Sequence, residues 1–399
     1  MEKILINLVS YKFIDHDYKT REFAELEKKF KTKVIIHDLS QIFYPKLNYI
    51  KAKNFKKSIR FKSLSQWIKT LNRFKKKDVI ILNELSLDSF KSLIMHYYLK
   101  KTNLPIILDG SPGVIDKSDF LVLNLETIMI KFKRILHNPN HLFFFLKKKI
   151  LIFLFSFIKF NKITIFLAGN NNKGLPLFYS SYRAQNKKIV KIHSRDYSNF
   201  LNYKKKNIIK KNKPIVFLDA TFPYFESDEP LLFNQKYKID VPKWYKEHNI
   251  FFDKLENLFS TKVIIVPHPK TQGVQNPFFK KRFVDHREGA TLKLTSSSLF
   301  VLCGAFVSTA ISFSILSFKP IFFLYLDQMK LYNEKEIIMQ KKTAKFIGAG
   351  VLDINNFKKE DILKNMKVNK KLYNNYKYRF LTSEKLSKKP NHIILGKII

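Results

Sequence analysis

Two runs, Ile215-Val-Phe-Leu218 and Val263-Ile-Ile-Val266, are apolar at every position yet only four residues long. A strand with one wet face alternates, and a helix needs more length. A short unbroken apolar run is what a strand covered on both faces requires, and such strands belong to parallel sheets flanked by helices. Polar residues follow each run: Asp219 after the first, Pro267-His268-Pro269-Lys270 after the second. A third motif, Ser308-Thr309-Ala-Ile-Ser312-Phe, opens an apolar helix shortly after another such run. Open parallel sheets bind ligands beyond the carboxyl ends of their strands. A carboxylate, an imidazole and a pair of hydroxyls delivered there suit acid/base transfer from a phosphorylated donor.

The pattern recurs along the chain. Residues 4–9, 33–37, 79–82, 105–108 and 163–167 read as strands, with amphipathic stretches at 20–30 and 88–99. This is the alternation of a doubly wound domain. After a lysine-rich run at 204–213 the rhythm restarts, with strands at 215–218, 262–266, 299–302, 321–325 and 351–354 and helices at 244–259 and 310–316. The expected organisation is an N-terminal Rossmann-like domain over 1–203, a linker over 204–213, a second Rossmann-like domain over 214–356, and helices over 357–399 that cross back to the first. A cleft between two such halves is where small-molecule sites lie.

At 399 residues the chain exceeds one ordinary core. Its net charge of +42 would draw it to polyanions or anionic lipid. Only nine of the basic residues are arginines, whereas nucleic-acid readers lean on the arginine fork, so the charge argues for a membrane surface over nucleic acid. Residues 141–159 carry aromatics beside Lys147, Lys148 and Lys149, which suits either an interfacial helix or a buried one. The opening residues lack a signal-peptide pattern and read as a strand. The lone Cys303 sits in an apolar run, in keeping with a reducing cytoplasm.

Each candidate residue has a structural reading beside its functional one. His268 stands one strand-helix-strand length from both Asp219 and Ser308 and could protonate a leaving phosphate. Ser308 and Thr309 could hold that phosphate or simply cap a helix. Asp219 at a strand end could act as base or cap its loop, and Asp228 belongs to the same acidic stretch. Arg287 and Thr291 lie where a loop could reach the donor, and the stretch 191–197 could bring Arg195 and Asp196 near the cleft. Asp109-Gly110 starts a turn that has neither the dinucleotide nor the Walker spacing, and no spacing suits a zinc site.

Taken in order, Asp219 with Pro223 and Asp228, Pro267-His268-Pro269-Lys270, and Ser308-Thr309 through Ser312 resemble the motifs of bacterial sialyltransferase-like glycosyltransferases of surface-polysaccharide pathways. The likeness covers roughly the second half of the chain. It implies an α/β, GT-B-like fold, two doubly wound Rossmann-like domains facing across a cleft, the first on the acceptor side and the second holding the nucleotide sugar. By that resemblance Asp219 would be the base, His268 would assist departure of CMP, and Pro269, Lys270, Ser308 and Thr309 would surround the phosphate. Asp109, Gly110, Asp228, Arg287, Thr291 and Ser312 would be further substrate contacts. The family's acidic motif is commonly an acidic pair followed by glycine, whereas Ala220 and Thr221 follow Asp219, so Asp109 is a rival base. The expected activity is inverting, metal-independent transfer of a sialic or other nonulosonic acid from a CMP-sugar, with no cofactor, to a glycan or glycolipid acceptor at the inner face of an anionic membrane. The protein is expected to be cytoplasmic and peripheral. Another nucleotide-sugar enzyme on the same fold, transferase or epimerase, is the first alternative, and a charge-driven nucleic-acid binder the second.

Overall fold

A computed structural model describes residues 3–45, 55–74, 78–87, 89–110, 140–170, 181–204, 213–220, 223–224, 239–271, 273–279, 281–304, 308–329 and 334–399. The strands of the first sheet are β1 (Lys3–Val9), β2 (Thr32–Asp38), β3 (Ser58–Arg60), β4 (Val79–Asn83), β5 (Ile106–Gly110), β6 (Lys159–Ala168) and β7 (Arg183–Ile192). They lie in the order β3-β2-β1-β4-β5-β6-β7, and every pairing is parallel. The second sheet comprises β8 (Ile215–Leu218), β9 (Val263–Val266), β10 (Val301–Cys303), β11 (Ile321–Tyr325) and β12 (Gly350–Asp353). Its order is β12-β11-β10-β8-β9, again parallel throughout.

Both sheets are covered on both faces, as the unbroken apolar runs require. In β1, Ile4, Ile6 and Leu8 face a core with Trp67, Met95 and Phe155, while Leu5 and Val9 face another with Phe13, Phe23 and Leu26. In β8, Val216 and Leu218 pack with Val301, Ile311 and Tyr376, and Ile215 and Phe217 pack with Trp244, Phe252 and Leu255. The protein is therefore α/β, with two doubly wound Rossmann-like domains in a GT-B-like arrangement. Strand order reverses at β1/β4 in the first sheet and at β8/β10 in the second, which places a crevice at the strand ends of each.

Two segments tie the domains together. The helix Arg195–Lys204 follows directly from β7, yet Tyr197, Phe200 and Leu201 pack in the core of the second sheet. The change of core thus falls near residue 195, ahead of the lysine-rich run, whose residues 205–212 lie outside the described residues. At the other end, Tyr373, Tyr376, Phe380 and Leu381 pack on the second sheet, after which the chain passes to the first domain. Ile399 is buried in a core of the first sheet with Leu5 and Phe13. The Asn391 side chain bridges the backbone of His193, accepting from its N–H at 3.0 Å and donating to its carbonyl at 2.9 Å. The His193 ring bonds Thr382 Oγ1 at 2.7 Å and the Ser387 carbonyl at 3.0 Å.

The crossing is close-fitting at Gly169, whose φ is +70° and whose neighbour Asn170 donates its N–H to the Tyr378 carbonyl at 2.7 Å. A Cβ on Gly169 would stand 2.2 Å from the Arg379 carbonyl oxygen. Gly169→Ala is accordingly expected to destabilise the protein by about 2 kcal/mol or more, from left-handed strain plus the displaced backbone. Urea unfolding of the variant beside wild type measures it, and an unchanged midpoint would show that the crossing yields without cost.

The sequence predicts one helix over 20–30, where the structure has two, Asp15–Thr20 and Phe23–Phe30. The break is at Glu22, which takes a left-handed φ of 56°. That turn drives its carboxylate inward, where it accepts from the Ser198 hydroxyl, from Asn202 Nδ2 at 3.0 Å and from the His392 N–H at 2.9 Å. Helix periodicity alone gives no warning of such a kink.

Candidate active site in the interdomain cleft

A cavity of about 530 Å³ lies between the domains, and residues of both line it. From the second domain come His268 and Pro269 after β9, Arg287 and Thr291 around the start of the helix Ala290–Ser297, and Ser308 and Thr309 before the helix Ile311–Leu316. His16, Lys19 and Thr20 come from the first helix of the first domain, and Asp196 and Asn199 from the interdomain helix. Lys19 and Glu288 meet across the opening at 2.5 Å. Both are about half exposed, so this bridge adds little to stability.

Local chemistry fixes several of these groups. The Thr271 N–H and hydroxyl both donate to the His268 carbonyl, at 2.8 and 3.0 Å, closing the turn Pro269–Thr271 that carries the histidine past the end of β9. The Ser308 hydroxyl accepts from the Ala310 N–H at 3.2 Å, a serine turn that faces Ser308 and Thr309 to the cavity. Arg287 is clamped to Asp285, with Nε–Oδ1 at 2.8 Å and Nη2–Oδ2 at 2.7 Å. The bidentate guanidinium holds the Asp285 carboxyl below the usual carboxylate range. Among the described residues no group of three or more His, Cys, Asp or Glu is clustered to hold a metal.

Asp196 is the cavity carboxyl that the strand pattern does not mark. It sits in the first turn of the interdomain helix and lines the cavity. Burial pushes its carboxyl up to about 7, although the Arg195 charge and the Ser312 hydroxyl work the other way. Ser312, fully buried on the helix Ile311–Leu316, is not among the lining residues. Across the cavity, burial lowers the affinity of His16 for a proton, with Asp17 and Glu288 opposing. No apolar run marks either residue; the only sequence signal was the short stretch around Arg195-Asp196.

The carboxylates favoured from sequence lie elsewhere. Asp219 follows β8 and donates its backbone N–H to the Val266 carbonyl at 2.9 Å, but it is not among the cavity residues. Strand parity explains this: Val216 and Leu218 face the core beneath the cavity, so Ile215, Phe217 and Asp219 take the opposite side. There Asp219 comes near enough to Tyr245 for its charge to be felt. Burial pushes the Asp219 carboxyl up to about 8, against the Ala220 N–H bond. The same parity sends Val266 and His268 to the cavity side.

Asp109, at the end of β5 beside Gly110, is paired with the Arg195 guanidinium. Arg195 also reaches Glu84 at 3.2 Å, and Glu84 takes a fork from Arg21 at 2.8 and 2.9 Å. Asp109 faces a separate hollow of about 30 Å³ rather than the main cavity. These paired charges brace the start of the helix that presents Asp196. Lys270 follows Pro269 in the same turn, and Asp228 and Thr221 lie outside the described residues.

The fold and cleft define a two-domain α/β protein with its candidate chemistry between the domains. No protein-family model matches the chain, and no curated protein matches it. Among solved structures it is similar to S. aureus MnaA in a co-structure with UDP, at 12% identity and TM-score 0.46, over 100% of this chain and 96% of that one. It is also similar to UDP-N-acetylglucosamine 2-epimerase from Rickettsia bellii, at 11% identity and TM-score 0.43, over 99% and 93%. A third is the wall teichoic acid polymerase TagF, at 13% identity and TM-score 0.49, over 100% and 88%. All three TM-scores are below 0.5, and the architecture stands on its own strand order.

Proposed function

We propose that the cleft binds a nucleotide sugar and that the protein is a glycosyltransferase, moving an acidic sugar of the nonulosonic class from a CMP-activated donor to a glycan or glycolipid acceptor. The observation that carries this reading is the meeting in one cavity of His268, Ser308, Thr309 and Arg287 from one domain with Asp196 at the domain junction. Its volume falls in the range of roughly 300–1,000 Å³ usual for small-molecule sites.

In this reading the acceptor hydroxyl gives its proton to Asp196 as its oxygen forms the new bond to the sugar. The bond from sugar to phosphate breaks, and the nucleotide leaves with the electron pair. His268 donates a hydrogen bond or proton to the leaving phosphate, and Ser308, Thr309 and the guanidinium N–H groups of Arg287 that Asp285 leaves unused surround its oxygens. Transfer on these groups is proposed to be metal-independent, and undiminished turnover in EDTA is the corresponding expectation.

Calorimetric titration of the protein with CMP, UDP and GDP, beside His268→Ala, tests the reading. The expected result is saturable binding that favours CMP and weakens about tenfold in the variant, as befits loss of one charge-assisted hydrogen bond. Preference for UDP or GDP would move the donor to another class on the same fold. No nucleotide binding, with tight salt-sensitive binding to an arbitrary oligonucleotide, would sink the transferase reading in favour of the polyanion one.

A further inference from the structure

One face of the first domain lies apart from the cleft. The helix Asn140–Phe155 seats Leu151 and Phe155 in the core beneath it, and Ile158 follows them down. Its outward side is just as apolar. Leu146, Ile150, Phe153 and Phe157 recur at helical spacing and are 50–70% exposed, with the Phe153 and Phe157 rings edge to face at 5.1 Å. Beside it packs the helix Phe90–Thr102, which adds Phe90, Ile94 and Tyr97 at 44–52% exposure. A helix that keeps an apolar stripe on its solvent side as well as on its core side is normally covered there by protein or lipid. Two adjoining stripes make a contiguous patch rather than scattered surface residues.

The charge around the patch selects its partner. Neither helix contains an aspartate or glutamate, while Lys91, Lys100, Lys101, Lys147, Lys148 and Lys149 belong to them. Lys101 Nζ lies 4.7 Å from the centre of the Tyr97 ring and Lys149 Nζ 5.6 Å from that of Phe145. Cations standing over exposed rings are what an interfacial segment presents to lipid, the rings entering the acyl boundary and the ammonium groups staying among phosphates. A second copy of the same face would press lysines against lysines. Among the described residues no helix is long and apolar enough to cross a membrane.

We propose that this two-helix face lies on the surface of an anionic bilayer, with Ile150, Phe153, Phe157 and Tyr97 inserted at the headgroup boundary and Lys101, Lys148 and Lys149 among the lipid phosphates. The test is cosedimentation of the full chain with vesicles of phosphatidylcholine alone and of phosphatidylcholine doped with phosphatidylglycerol. Wild type should bind the doped vesicles at least about tenfold more tightly. Phe153→Ser with Phe157→Ser should lose about tenfold on the same vesicles, with nucleotide titration unchanged as evidence of an intact fold. Phe153→Trp gives a second readout in a protein that keeps an aromatic ring there: its emission should shift to the blue and be quenched by brominated lipid. The proposal is overturned if wild type ignores both vesicles, if the double serine variant binds as wild type does, or if the emission of the bound Phe153→Trp variant stays unshifted. It is equally overturned if wild type is a dimer that the serine substitutions dissolve, since the face would then join copies of the chain.

Discussion

Asp196→Asn is expected to lower turnover of sugar transfer about 10²- to 10³-fold, the usual effect of removing a general base, while donor binding changes by no more than a few-fold. The pH profile supplies the sharper readout. With its carboxyl pushed up to about 7 by burial, Asp196 in wild type is charged, and so competent as a base, only above that value. Activity should fall as the pH drops through about 7, and the variant's residual activity should lack that limb. Asp219→Asn is the control. It should leave turnover nearly intact, because Asp219 faces away from the cavity. Its effect should appear in stability. A carboxyl whose value is raised to about 8 binds a proton in the folded state that the unfolded chain has released above about 4. Folding stability is then lost as pH rises through that window, at about 1.4 kcal/mol per unit at most. Asparagine removes the loss, so Asp219→Asn should raise the melting temperature at pH above about 8 and not near pH 4. A collapse of turnover in Asp219→Asn, with Asp196→Asn active, would return the base to Asp219.

Glu22→Ala is expected to destabilise the protein by about 3 kcal/mol or more, the range seen when one partner of a buried charged network is removed. The carboxylate is almost fully buried and gathers four donors from two distant parts of the chain. Ser198 and Asn202 come from the interdomain helix, and the backbone N–H and Nδ1 of His392, at 2.9 and 2.7 Å, from the returning C-terminal segment. Truncation leaves these donors facing one another in a dry site, and alanine relieves none of the left-handed strain at this position. Hydrogen exchange should show where the effect lies: residues 383–399 should lose protection before the sheets do. Unchanged protection there would mean that apolar packing around Ile399 is enough to hold the segment.

The interior strands were legible because most hold a short apolar run, and burial on both faces leaves such a segment few alternatives. β8, β9 and β11 fall within a residue of their expected limits. β7 was missed for the converse reason. Arg183–Ile192 lies at the edge of its sheet, mostly exposed, and its lysines discourage pairing with another chain while hiding it from any hydrophobic scan. In the site, His268, Ser308 and Thr309 announced themselves by following strands. Asp219 follows a strand in the same way, and only the alternation of neighbouring side chains between two cores places it on the other face. His16 and Asp196 enter from helix starts, where position in the cleft depends on how the domains meet. That information is long-range, and no local pattern carries it.

Among the described residues the chain passes between its domains twice, once at the start of the helix Arg195–Lys204 and again beyond Leu381, and the two passages touch where Ser194 donates its N–H to the Leu381 carbonyl at 2.7 Å. A single tether would act as a ball joint. Two tethers leave one easy degree of freedom, rotation about the line that joins them, and resist twist and sliding. Asp196 stands only two residues from Ser194, close to that axis, while Glu288 and Lys19 meet at the mouth. Opening the cleft would therefore sweep the mouth through a wide arc and scarcely displace Asp196, so a substrate could enter and leave without its proton acceptor being realigned at each cycle.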